Sequence, residues 1–406
     1  MATAIGVNST CRFKRQTVKG TLAGASLGQI LRRESAVFEL KKETYTTESE
    51  ITSTQQLLSS RHGARSVDGK ITGILSPGTY SDMMAAALRQ DFAAITPVSG
   101  VAITISGAGP TYTVARATGS WLTDGIKIGQ VVRLSGGTLN AANSAKNLLV
   151  TAIASATSMT VMVVNRSSLV AEGPISACTV TATGEVSFTP ITGHTNVYYT
   201  VEIYDPDVPS SERNQDCKVS ALNLSLPGSG VAKIDISMLG LDQTSDTAAY
   251  FSAPTAETTT GALVASSGLL IAASGAVATV TDLSINIDTK EQLADPVVGS
   301  PIRPDIFRGK VMVQGSFTGY FDSNTMADNF RNETSISIIS VMATDNSPTA
   351  KFMSLVLAAV DVNSVTPTDG ETGKKRTYSF ICEFNSAGGA GTATEKTTLY
   401  VQDSDA

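Results

Sequence analysis

Catalytic chemistry has little to work with in this sequence. There are two histidines, His62 and His194, and one tryptophan, Trp121. A Ser/His/Asp triad or an imidazole metal centre would have to use one of those two histidines, and neither sits in a nucleophile or metal-binding context. The four cysteines, Cys11, Cys178, Cys217 and Cys382, are far apart with no Cys-x-x-Cys spacing. That excludes the usual zinc and redox patterns and predicts free, buried thiols. Asp361, Asp369 and Glu371 lack calcium-loop spacing. The run from Gly370 to Arg376, GETGKKR, fails the phosphate-loop spacing and has no strand-to-helix context. Glu48 and Glu50 are a carboxylate pair that would share one face if the segment is a strand, but no aromatic cleft residues accompany them, so they read as a solvated face. No catalytic, cofactor or metal residues are assigned, and the chain reads as a non-enzyme.

Long apolar runs are also missing. The most apolar window, 261–279, is broken by Gly and Ser pairs and is no membrane span. The first residues do not resemble a signal peptide, so synthesis in a cytoplasm is expected and the Asn-x-Ser/Thr matches at Asn8, Asn165, Asn223 and Asn332 read as chance. What the chain does have is 42% hydrophobic residues with only 16% charged, and a mean hydropathy of +0.08. Such a composition, rich in Ala, Ser, Thr, Val and Gly, suits many short strands and turns, with some apolar surface buried between subunits. The 406 residues allow two or three domains. Charge is uneven: residues 1–89 hold twelve Lys/Arg against seven Asp/Glu, and the rest eighteen against twenty-nine. The two regions could attract each other between subunits, or their charges could simply be dispersed and solvated. The acidic excess opposes nucleic-acid binding, and Phe13 among Arg12, Lys14 and Arg15 is the single basic and aromatic cluster.

Two stretches look like copies of one structural unit. Phe38–Arg89 and Leu283–Arg331 each run through an alternating strand, a loop, a Gly-Lys strand start (Gly69-Lys70, Gly309-Lys310), a Thr/Gly/Tyr turn and a short helix. From Asp82 to Arg89 the first copy is two residues shorter than the second from Asp322 to Arg331. Residues 1–35 read as a basic arm that orders on assembly. Ser81 or Asp82 is expected to cap a helix through Leu88, with Met83, Met84 and Leu88, and Phe330 in the second copy, packing the helices on the sheets. The expected organisation is an arm and first part of the parent domain over 1–96, an inserted small all-β domain over 97–187 with Trp121 in its core, and the parent domain resumed over 188–406. Leu222, Leu224 and Leu226, a Pro-Gly-Ser-Gly turn, then Ile234, Ile236 and Met238 predict a hairpin. Residues 261–277 fit a short hairpin or loop, and four further strand-like runs follow the second copy. Thr366–Arg376 is a hydrophilic loop. The fold class is therefore mainly β, with duplicated sandwich units and short helices.

In this order the patterns resemble the major tail tube proteins of long-tailed, non-contractile bacteriophages. The resemblance covers most of the chain. It rests on 68–89, 114–153, 219–240, 295–322 and 400–404, chiefly the run Pro301-Ile-Arg-Pro-Asp-Ile-Phe-Arg-Gly309 and the run Thr118-Gly-Ser-Trp-Leu-Thr-Asp-Gly125. It implies stacked rings of β-sandwich subunits around a channel, enclosing a tape-measure protein, ending on tail terminator and distal tail proteins, and passing genomic DNA without specific binding. It also implies a place in the virion, without a membrane. Two units per chain would make three chains a pseudo-sixfold ring, with loops and the N-terminal arm bridging rings and the inserted domain outside. Asp235 and Glu39 are candidates for the channel face. A virion decoration or host-adhesion protein, recognising its partner through the inserted domain, is the alternative, and a polysaccharide hydrolase using Glu48 and Glu50 a third.

Overall fold

The computed structural model describes every residue except 1, 2, 47, 48, 50, 52, 54, 58, 273, 274, 277–279, 322, 369, 370 and 372. Glu48, Glu50, Asp322, Asp369 and Gly370 thus lie outside the described residues. The chain begins with β1 (Thr10–Arg15), β2 (Gln29–Ile30), β3 (Ser35–Thr46) and β4 (Ser60–Ile74), then helix α1 (Ser81–Leu88) and β5 (Ala93–Ala94). Next come β6 (Val98–Ala108), β7 (Thr111–Arg116), β8 (Val131–Gly136), β9 (Leu148–Ser155), β10 (Ser158–Val163) and β11 (Glu172–Ala182). These six close into a barrel, β10-β7-β6-β11-β8-β9. Closure leaves no free edge, and the interior is filled by Ile103, Val114, Trp121, Val132 and Leu148, all fully buried.

After the barrel run β12 (Glu185–Phe188), β13 (Tyr199–Asp205), β14 (Ser210–Pro227), β15 (Lys233–Gly240) and β16 (Asp242–Asp246). Then follow β17 (Val264–Ala272), β18 (Gly275–Ala276), β19 (Val280–Asp288), and the small pair β20 (Gln292–Leu293) and β21 (Ile306–Phe307). The chain ends with β22 (Met312–Tyr320), α2 (Thr325–Arg331), β23 (Ile336–Ala343), β24 (Phe352–Pro367), β25 (Lys375–Cys382) and β26 (Tyr400–Asp403). The architecture is mainly β, as the composition implied.

One antiparallel sheet dominates the molecule, in the order β3-β4-β15-β14-β19-β22-β25-β24. Its two halves have the same topology: a hairpin-like pair (β3-β4, β19-β22), a helix, then a long strand and its return (β14-β15, β24-β25). Ile74 opposite Lys233 corresponds to Tyr320 opposite Lys375. Even the irregularities coincide, since both long strands are bulged, between Val219 and Ala221 and between Val362 and Ser364. This register differs from the one expected from the Gly-Lys pairs: Gly69-Lys70 lies inside β4, whereas Gly309-Lys310 lies in the loop before β22. The sequences that coincide are Gly69-Lys-Ile-Thr-Gly73 and Gly315-Ser-Phe-Thr-Gly319. Packing explains why: a Cβ on Gly69 would stand 2.3 Å from the Phe38 ring, and one on Gly315 2.1 Å from the Ser284 carbonyl oxygen and 2.6 Å from the Phe380 ring. A glycine covered by an aromatic ring is constrained by packing, while a Gly-Lys dipeptide recurs by chance.

Alternation gives the sheet one apolar face, with Ile71, Ile236, Leu224, Ile285, Val313 and Phe380 buried in a single core. Helix α1 closes that core over β14 with Met83, Met84 and Leu88. Its Ser81 and Asp82 do not cap it as expected: the Ser81 hydroxyl donates to Asp403 at 2.6 Å, and Asp82 pairs with Arg15. In α2, Ala327 is buried and Met326 partly so, while Phe330, expected to pack, is 41% exposed.

Two further expectations are corrected. The stretch read as an arm contributes β1, paired along its length with β13, with Cys11 and Phe13 in the core. Much of the basic charge of residues 1–89 is satisfied within the chain, by Arg12–Glu202, Lys19–Asp305, Arg65–Asp242 and Arg89–Glu291. Attraction between acidic and basic regions operates inside one subunit because β1 and β4 are threaded among the later strands.

The barrel is fastened to the body. Val131, Leu149 and Met162 pack against Ile339, Phe352, Val356 and Tyr400. Gln402 accepts from the Val131 amide at 2.7 Å and donates to the Val131 and Thr183 carbonyls at 3.0 and 2.7 Å.

Candidate assembly surface

The outer face of the eight-stranded sheet is open and polar. One rung crosses all eight strands as Ser35, Thr72, Asp235, Asn223, Asn286, Gln314, Ile381 and Asp361. The next carries Ser225, Ser284, Ser316, Ser379 and Ser364 side by side. Thr318 and Thr377 share a hydroxyl hydrogen bond of 2.9 Å one rung further. Hydroxyl and amide groups need water or each other, so this face is built for solvent.

Charge on the face is interleaved. Glu39, Asp68, Asp235, Asp282, Asp288 and Asp361 alternate along the strands with Lys41, Lys70, Lys233 and Lys375, and Lys41 is ion-paired with Asp68. The carboxylates are in slight excess. Asp235 and Glu39 both stand here, in β15 and β3.

Two strand edges of this sheet lack a strand partner among the described residues: the outer edge of β3, which pairs only with β4, and the outer edge of β24 beyond Val360. Edges this long are docking templates.

Other chemistry-bearing groups are dispersed. His62, in β4, and His194, in the segment before β13, are both exposed. His194 is held below its ordinary value by partial burial and then by Arg89 and Arg308. Glu371 is exposed in the loop after β24, and Asp361 lies on the sheet face. Among the described residues no group of three His, Cys, Asp or Glu side chains could hold a metal ion. All four cysteines are free and buried, and burial pushes Cys11 and Cys382 up to about 12.

Two buried ionic clusters gave no signal in the sequence. Glu202 is fully buried, 3.5 Å from Arg12, and accepts from Ser211 at 2.6 Å and from the Tyr250 and Phe251 amides at 2.5 and 3.2 Å. Glu291 lies 3.3 Å from Lys218 and 3.5 Å from Arg89. Burial raises Glu291 and lowers Lys218 and Arg89. These groups tie β14, the end of α1 and the segment after β19 together. Each is occupied by its partners, so they serve packing rather than proton transfer.

A family model described as phage tail tube protein matches residues 6–384. No curated protein matches the chain.

Proposed function

Since the chain belongs to the phage tail tube protein family and is on that ground a structural subunit of a phage tail, we propose that it polymerises as stacked rings of three chains in a long, non-contractile tail. The observation that carries this reading is the sheet itself, in which one strand order occurs twice in succession and one continuous face is polar. Two tube units per chain make three chains equivalent to six units around an axis. The polar face then lines the channel, with Asp235 and Glu39 in the wall.

Such a wall suits the passage of DNA. Phosphates gain affinity by releasing counterions to Lys and Arg. A hydroxyl-rich surface whose lysines are outnumbered by carboxylates offers little of that gain, so DNA slides without binding specifically. During assembly the same channel encloses the tape-measure protein, and the tube ends meet terminator and distal tail proteins. Synthesis takes place in the host cytoplasm. The barrel, residues 97–187 with its flanks, is an insertion on the outside of the tube. Its apolar seat is on β23, β24 and β26 and uses none of the other seven strands of the polar sheet, which supports that placement. Neither a decoration nor an adhesion role explains the duplicated sheet.

Electron microscopy of the purified chain tests the proposal. Rings or hollow tubes with three chains in axial view are expected. Six chains per ring would overturn the two-unit reading, and a chain that never polymerises would overturn the tube.

A further inference from the structure

The junction between the two halves of the sheet is itself an observed interface between one unit and the next. There β14 pairs with β19 in antiparallel register, from Ala221 opposite Asp288 to Pro227 opposite Asp282. The first half therefore ends on the β14 edge, and the second begins with β19. By the same topology the second half ends on the β24 edge and the first begins with β3. Those are the two edges left without a strand partner among the described residues.

We propose that the outer edge of β24 pairs with the outer edge of β3 in a second copy of this chain, in the register that the internal junction dictates. Resting as it does on the tube reading, the proposal specifies how neighbours in a ring join. The correspondence is fixed by the shared bulge and by the lysines opposite Ile74 and Tyr320: Ala221 matches Ser364, Leu222 matches Val365 and Asn223 matches Thr366. On the other side Asp288, Ile287 and Asn286 match Lys41, Leu40 and Glu39, because Asp288 faces Met312 as Lys41 faces Ser66. Ser364 then faces Lys41 of the neighbouring copy, Val365 faces Leu40, and Thr366 faces Glu39.

Three observations fit an edge awaiting this partner. Leu222 and Ile287 at the internal junction are buried to 0% and 1% exposure, whereas Val365 and Leu40 are only partly buried in one chain. Pairing would bring them to the same state. Asp361 has a buried Oδ1 without a hydrogen-bond donor. It occupies the place of Lys218, whose ammonium meets Glu291 just beyond the far strand, so a donor from the Lys42–Thr44 stretch of the next copy would complete it. The edges also differ from one another, so the contact is heterologous: it propagates from copy to copy, as a ring requires, where a self-complementary edge would stop at a dimer. Pro367 lacks an N–H, so the junction has one donor fewer than its internal counterpart.

A double variant, Glu39→Cys with Thr366→Cys, tests the register. This pair is of the non-hydrogen-bonded kind, whose close Cα spacing falls within disulfide reach. Oxidation of assembled protein should give a non-reducing ladder of linked chains, with a yield about tenfold above that of Val37→Cys with Thr366→Cys, displaced by one pair on the same face. Each single variant should give no ladder. The native cysteines are buried and do not compete. Tubes that form normally but link no better through residues 39 and 366 than through 37 and 366 would overturn the junction and leave the tube standing. Absence of polymerisation by the unaltered chain would overturn the tube reading first. Should the double variant fail to fold, an axial density map of the unaltered tube reads the same register: Leu40 beside Val365 supports the junction, and any other neighbour for β3 refutes it.

Discussion

Glu202 shows how a residue with no sequence signal can hold a fold. Nothing around Val201-Glu202-Ile203 distinguishes that glutamate from a solvated strand carboxylate, and only the threading of β1 beside β13 brings Arg12 to it. Removing it leaves Arg12 buried without its counter-charge and two amides without an acceptor. Glu202→Ala is expected to lower the unfolding free energy by about 3–5 kcal/mol, measured by urea denaturation. Asp403 makes a pH prediction. Burial raises its carboxyl above the ordinary value of 3.8, although Gly78 and Ser81 donate to it. The folded chain thus favours the protonated form. That contribution is complete in acid and is lost as pH rises from 3.8 through the folded value. Asp403→Asn should flatten the fall in stability over this window, with urea midpoints at several mildly acidic pH values as the readout. Other residues were legible in advance: Met84 and Leu88 lie four apart on one face of α1 and are buried, as is Trp121. Phe330 was not, because α2 turns Ala327 and Met326 inward and leaves its last turn outside.

Individual strands were legible because their side chains alternate. Leu222, Leu224 and Leu226 against Ile234, Ile236 and Met238 define the β14-β15 hairpin, and the structure pairs Leu224 with Ile234 and Leu222 with Ile236. Partners distant in sequence were not legible, since period two states that a strand has two faces and is silent on its neighbours. The internal repeat is a case between. Its strands and helices were recognisable, yet its register depended on which glycines lie under aromatic rings. Gly69→Ala should displace the Phe38 ring and cost about 1–3 kcal/mol by overpacking, and Gly315→Ala, which meets the Ser284 backbone carbonyl of β19 as well as the Phe380 ring, should cost more. The two variants differ in a second respect. Phe38 belongs to β3, whose outer edge lacks a strand partner among the described residues, so Gly69→Ala should also reduce ring formation by light scattering at concentrations where Gly315→Ala, once folded, still assembles.

For the whole molecule, composition already pointed to a mainly β fold, and the texture of the sequence changes near Pro97, just before β6, the first strand of the barrel. Its seat on the body was hidden, because Val131, Leu149 and Met162 look like ordinary strand residues until two separate sheets are brought together. A fragment from Pro97 to Thr183 should fold cooperatively by circular dichroism, having its own core and no free edge. The body without that fragment should be soluble only at much lower concentration, since Ile339, Phe352, Val356 and Tyr400 lose their cover. Retention of full solubility after excision would show the contact to be incidental.

Timing follows from the position of β26. That strand lies between β12 and β24, and its Gln402 reaches the barrel. Ribosomes make it after every element it joins. A nascent chain can therefore fold its barrel early but cannot seat the barrel or finish the sheet around β24 until Tyr400–Asp403 has emerged. Because β26 joins β12 to β24 and carries the glutamine that holds the barrel, the seat of the barrel is the last part of the subunit to be completed.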